Sequence, residues 1–178
     1  MSAPTLVTER LVLRSPQLSD VAEHAAVWAD PDVVRHIGGQ VRDSQDAWFA
    51  LLRGRALWDF LDYGYWIARE RKTDAYVGEI GFADFKRDMV PAISGDPEAG
   101  WVLAQSAWGR GFATEAVKAA HSWLDEVHPG RSTCIIDPDN TASIHVAEKA
   151  GYSEIALTDY KGGPVIVYER HSPGTRKG

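Results

Sequence analysis

Leu11 and Leu13 fall on one side of residues 8–14 and Val12 on the other, a period-two pattern that predicts a strand. Ser19 or Asp20 offers an N-cap for a helix through Val21, Ala25 and Trp28 that ends near Pro31. Asp43 or Ser44 opens a second helix, on which Trp48, Leu51, Leu52, Ala56 and Phe60 recur at spacings of three and four before Gly64 ends it. Residues 65–68 and 75–85 predict two strands joined by a turn around Lys72, Thr73 and Asp74. Pro91, Gly95 and Pro97 break residues 86–97 into a loop, either a substrate lid or a solvated connector.

Residues 98–104 predict a fourth strand, and a third helix starts at Gly111. Its buried stripe is Ala113, Ala116, Val117, Ala120, Leu124 and Val127, with Glu115, Lys118 and Ser122 outside. Residues 132–137 alternate little, as a strand buried on both faces does. A fourth helix covers residues 140–150 with Gly151 in the C′ position, and residues 153–158 and 164–170 supply two last strands. The order β-α-α-β-β-β-α-β-α-β-β predicts a mixed α/β domain with a mainly antiparallel sheet and four helices. No linker divides it, so residues 1–178 read as one domain with a core over about 5–170 and a polar, frayed tail from 171 to 178.

Composition narrows the function. With 178 residues and 44% apolar content, the chain can bury roughly 70% of the surface it exposes when unfolded. A net charge of −6 argues against a nucleic-acid partner, whose phosphates demand cations, but leaves room for a local anion site. The single cysteine, Cys134, excludes an internal disulfide and a multi-thiolate zinc site. It lies in a strand that reads as buried, so an inert thiol is expected there, in a reducing compartment. The six histidines show no ligand spacing, and no metal is expected. The chain shows neither an export signal nor an apolar run near the roughly 20 residues that span a bilayer, which points to the cytoplasm and no membrane.

Candidate chemistry sits in two segments. Trp108-Gly109-Arg110-Gly111-Phe112-Ala113-Thr114 lies between a strand and a helix. Its glycines let the backbone approach a ligand, and the helix start offers N–H groups suited to a pyrophosphate. The alternative is a tight turn with no ligand. The segment lacks both the P-loop ending and the dinucleotide fingerprint. Further on, Asn140 and Ser143 occupy the first turn of a helix, where they either cap it or touch a ligand, and Glu148 and Lys149 form its solvated end.

Together these segments resemble a family. Trp108-x-x-Gly111-x-Ala113 followed by Thr114-Glu115-Ala116 is similar to the acetyl-coenzyme A motif of GNAT N-acetyltransferases. Asn140-x-x-Ser143 with Glu148-Lys149-x-Gly151-Tyr152 resembles the motif that follows it. Thr8-Glu9-Arg10-Leu11-x-Leu13-Arg14 and Val77-Gly78-x-Ile80-Gly81-Phe82 resemble the ribosomal-protein N-terminal acetyltransferase (RimJ/RimL-like) branch. The resemblance implies a sheet splayed between the fourth and fifth predicted strands, with acetyl-coenzyme A in the gap. It assigns Leu103 and its neighbours to the pantetheine arm through backbone groups, with an N–H there polarising the thioester carbonyl. Residues 108–114 would hold the pyrophosphate, and Asn140 the pantetheine or thioester end. Many members carry a tyrosine seven residues after the asparagine as the acid for the leaving thiolate. Ala147 stands there in this chain, which makes Ser143 the substitute candidate.

An α-amino group has a pKa of about 8 and a lysine about 10.4, so the attacking amine must lose a proton. The resemblance puts a glutamate at Glu98, the first choice for base, with Glu79 and Asp84 as alternatives. Each could instead balance a nearby arginine. Trp48 and Trp58 either border the acceptor pocket or belong to the core. The expected activity is transfer of acetyl from acetyl-coenzyme A to a primary amine, on a small molecule or a protein N-terminus. Homodimers are frequent in the branch. A non-catalytic coenzyme A-binding module and a purely structural domain are the other classes.

Overall fold

The computed structural model describes residues 3–174. In chain order it contains β1 (Leu6–Val7), β2 (Leu11–Arg14), α1 (Val21–Trp28), α2 (Pro31–Val34), α3 (Ser44–Leu61), β3 (Tyr65–Glu70) and β4 (Tyr76–Ala83). These are followed by β5 (Glu98–Leu103), α4 (Phe112–Val127), β6 (Arg131–Ile136), α5 (Thr141–Lys149), β7 (Ser153–Tyr160) and β8 (Gly163–His171). The strands form one sheet in the order β1-β2-β3-β4-β5-β6-β8-β7. Every pairing is antiparallel except β5 with β6. The mixed, mainly antiparallel architecture expected from the sequence is the one observed.

The sheet is covered on both faces. On one, Leu11, Leu13, Trp66, Ile80 and Phe82 meet the apolar stripe of α4, namely Phe112, Ala116, Val117, Ala120 and Leu124. Trp58, Trp66 and Trp123 interlock there, with ring centroids 4.6 to 5.2 Å apart. On the other face Ile67 and Val102 pack against Val27, Val33, Val34, Ala47 and Leu51 from α1, α2 and α3. β4 lies between the two layers and is buried along its whole length.

Several local expectations are corrected. Asp20 does not cap α1 through its side chain. Its buried carboxylate takes a bidentate bond from Arg14 and further bonds from Arg69, tying β2 and β3 to the helix start. α1 ends at Trp28, near Pro31 as expected, but Pro31 also opens a further short helix: it occupies the first turn of α2, capped by Asp30 through the Asp32 N–H. Asp43 caps α3 as expected, but the helix ends at Leu61 because Asp62 turns left-handed, with φ of 59°. The buried face of α3 is Ala47, Ala50, Leu51, Gly54 and Trp58, which leaves Phe60 at 85% exposure. On α4, Val127 is exposed, while Phe112 and His121 join the buried stripe. The tail is docked at its start: the Ser172 N–H donates to the Gly130 carbonyl at 2.9 Å, and the Ser172 hydroxyl accepts from the Gly130 N–H. The rest of that tail, from residue 175, and Met1 and Ser2 lie outside the described residues.

Candidate active site

β5 and β6 part almost as soon as they meet. One pair, Glu98 with Thr133, is in register, and the Thr133 N–H donates to the Pro97 carbonyl at 3.0 Å. From there β6 follows β8 over six pairs, whereas β5 stays on β4. The Ala104 N–H donates to the Val77 carbonyl. By the alternation of an antiparallel ladder, the backbone groups of Val102 and Gly100 therefore point to β4, and those of Trp101 and Leu103 into the gap. Gly100 keeps this wall thin: a Cβ there would lie 2.3 Å from the Tyr65 hydroxyl.

The gap runs towards the start of α4. The Trp108 indole donates to the Leu103 carbonyl at 3.0 Å, pinning the turn to the strand. Gly109 and Gly111 have φ of 68° and 77°, a region that L side chains enter only with strain. Gly111 is the N-cap and has no capping side chain, so the N–H groups of Phe112, Ala113 and Thr114 lack partners within the helix. Arg110 supplies no spare cation here, because it pairs with Glu70 at 2.5 Å and stacks on Phe112. The Phe112 side chain is in the core, which leaves only its N–H for a ligand. What this turn offers an anion is backbone.

At the first turn of α5 the Asn140 side chain accepts from the Ser143 N–H at 3.1 Å, so it caps the helix while its NH₂ group stays available. The Ser143 hydroxyl accepts from the Trp101 indole at 3.3 Å. An indole can only donate, so the hydroxyl keeps its own proton for another acceptor.

Asn140 and Ser143 line a cavity of about 750 Å³ that extends from the gap to α3 and the β7–β8 turn. Glu79 and Glu98 line it as well; Asp84 does not. Burial pushes Glu79 up to about 7, against the Trp28 indole bond and the fields of Arg42 and Arg53. The Trp28 bond measures 2.9 Å. Glu98 is held by both arms of Arg87, at 2.7 and 2.8 Å, from the loop of residues 86–97. That ion pair ties the loop to β5, so the structure gives Glu98 the arginine partner that the sequence left as its alternative role. Burial acts to raise Asp84, but bonds from Lys86 and the Gly95 N–H outweigh it and hold the carboxyl below its usual range.

Trp48 and Trp58 do not line the cavity; Trp58 is a core residue and Trp48 packs beside α1. Trp28 and Trp101 line it instead, with Arg42, Arg53, Arg87 and Tyr160, none of which the sequence singled out. They come from separate segments, and no spacing links them. Cys134 also lines the cavity, with its thiol pushed well up by burial. Among the described residues no group of three histidine, cysteine or carboxylate side chains could hold a metal ion, and no helix is long and apolar enough to cross a membrane.

Residues 10–153 match the family model of the acetyltransferase (GNAT) domain. A Bacillus licheniformis protein named as an uncharacterized N-acetyltransferase, p20, is 30% identical, over 92% of this chain and 93% of its own. The crystal structure of an acetyltransferase from Agrobacterium tumefaciens aligns with a TM-score of 0.80 and 28% identity, covering 96% of each chain. The fold is shared with a ribosomal L7/L12 α-N-protein acetyltransferase in complex with coenzyme A, at a TM-score of 0.76 and 19% identity over 94% of this chain and 98% of that one. The opened strand pair, the glycine-bearing turn and the matched sequence agree: this chain belongs to the GNAT acetyltransferase family.

Proposed function

We propose that the protein transfers an acetyl group from acetyl-coenzyme A to a primary amine by direct attack, with no covalent enzyme intermediate. The observation that carries this reading is the gap between β5 and β6. Backbone of Trp101 and Leu103 that has no partner strand there leads to the uncapped start of α4 at one end and to the Glu79 cavity at the other. Acetyl-coenzyme A supplies an activated thioester and a thiolate leaving group. Trp101 and Leu103 bind the pantetheine arm through backbone bonds, and a backbone N–H there donates to the thioester carbonyl. The N–H groups of residues 112–114 take the pyrophosphate. Asn140 orients the thioester end through its NH₂ group, and Ser143 hydrogen-bonds the departing sulfur and relays a proton to it that water resupplies to its Oγ.

Glu79 takes the proton of the attacking amine, directly or through one water. A carboxylate near 7 accepts a proton far more readily than an ordinary one and is still ionised at the pH where amines begin to lose theirs. The motifs at residues 8–14 and 77–82 support the ribosomal-protein N-terminal acetyltransferase-like branch and a cytoplasmic enzyme. The test is thiol release from acetyl-coenzyme A in the presence of a panel of primary amines. Ser143→Ala should lower turnover about tenfold to a hundredfold with coenzyme A affinity kept within about twofold. Binding of coenzyme A without amine-dependent turnover would instead establish a non-catalytic coenzyme A module.

A further inference from the structure

Almost every arginine in the fold has an assigned partner. Arg10 pairs with Glu115, Arg14 and Arg69 with Asp20, Arg87 with Glu98, Arg110 with Glu70, Arg131 with Asp96 and Arg170 with Asp125. Arg35 pairs with Asp32, while Arg55 and Arg71 donate to backbone carbonyls. Among the described residues, Arg42 and Arg53 are the two whose guanidinium groups have neither a hydrogen bond nor an ion pair. Both line the one cavity already described. The Arg42 guanidinium carbon lies over the Trp28 ring, 3.4 Å from its centroid. Burial lowers its pKa and the field of Glu79 offsets only part of that, with no hydrogen bond between the two. A half-buried Arg42 and an exposed Arg53 on the lining of one cavity, both without a hydrogen-bonded partner, make a subsite for an anion.

We infer that the amine acceptor is a small molecule carrying an anionic group, a carboxylate or phosphate, beside its amine, and that Arg42 and Arg53 bind that group. The inference rests on the transferase reading above and names its substrate class. Glu79 lines the same cavity, which thus presents a proton acceptor for the amine and two arginines for the acid. None of residues 108–114 lines this cavity, which separates the arginine pair from the turn assigned to the pyrophosphate. The net charge of −6 would by itself favour a cationic acceptor; the local arrangement reverses that sign.

Matched pairs test it. Free L-amino acids are compared with their carboxamides, phosphoethanolamine with ethanolamine, and spermidine serves as the cationic arm. The carboxamide's amine is the less basic and has more neutral form at pH 8, so nucleophilicity alone favours the amide. The expected result is the opposite, with kcat/KM at least about tenfold higher for one of the two anionic classes, and which class wins identifies the group. Arg42→Gln and Arg53→Gln should raise KM for that acceptor about tenfold or more with the KM for acetyl-coenzyme A little changed; because both arginines also bear on Glu79, the neutral partner is run beside it above pH 8, and the loss there should be several-fold smaller. Equal or better turnover of the neutral or cationic amines overturns the inference, as does a loss confined to coenzyme A affinity. Binding is read separately, by tryptophan fluorescence on coenzyme A-saturated protein. Anionic amines that bind through Arg42 and Arg53 without being acetylated would sink the transferase reading and keep the subsite. Absence of binding would sink the subsite whatever the turnover of other amines.

Discussion

Glu79 is a carboxylate with 7% of its surface exposed, one indole donor at 2.9 Å and the His24 ring nitrogen 3.8 Å away. His24 is itself held neutral by burial and by Arg42, its pKa brought down to about 4, so it lends Glu79 no charge at neutral pH. As a base Glu79 works only when ionised, so the rate should climb as pH rises through about 7 and then follow the amine alone. Glu79→Gln should lower kcat by about a hundredfold and erase that limb, read from kcat against pH. A limb that survives in the variant would return the role to Glu98 or to water. In the sequence Glu98 is the first choice and Glu79 an alternative, both on strands near the expected acceptor site. What separates them is the partner each meets, Arg87 for Glu98 and Trp28 for Glu79, and such pairings follow from folding together segments 11 and 51 residues apart.

At the scale of the element, the turn into α4 takes a backbone conformation that glycine enters freely and an L-residue does not. Gly111 holds φ of 77°, a conformation that costs an L-residue roughly 1–2 kcal/mol. An added Cβ would meet Arg10 Nη2 at 3.4 Å. Gly111→Ala should therefore lower the melting temperature by roughly 2–8 °C, and should weaken coenzyme A binding because the first N–H groups of the helix are re-aimed. Retained affinity would show that those N–H groups hold no phosphate. The helices and strands were legible because their apolar residues repeat at 3.6 or at two, as in α4 and β2. The short pieces were not: Leu6–Val7 is too brief to show a period, and Pro31–Val34 is a single turn behind an Asp-Pro pair that reads equally well as a stop. For α3, Leu52 and Phe60 misled because small residues, Ala47, Ala50 and Gly54, form the face that actually packs.

For the whole molecule, three buried groups set the response to pH. His24 and His121 are each held at about 4 by burial, the latter with Nδ1 2.8 Å from the Val117 carbonyl. Both stay neutral in the fold but charge when unfolded, so each contributes stability that fades as pH falls from 6.5 towards 4, about 3 kcal/mol apiece. Glu79 works the other way: its contribution is full below about 4.5 and is lost as pH rises through 7, again by about 3 kcal/mol. From these groups the protein should lose a net of about 3 kcal/mol between pH 7 and pH 4, read from urea melts. Glu79→Gln should be the more stable protein above pH 7 and show the steeper acid loss. A flat profile would contradict the buried neutral imidazoles. One further consequence belongs to the parted strands. Unpaired strand edges usually invite sheet-to-sheet aggregation, and proteins guard them with charges, bulges or prolines. Here β5 and β6 part in the middle of the sheet, away from its outer strands β1 and β7. An intruding strand would have to enter between two strands that remain joined at Glu98 and Thr133, whereas an outer edge offers its whole length.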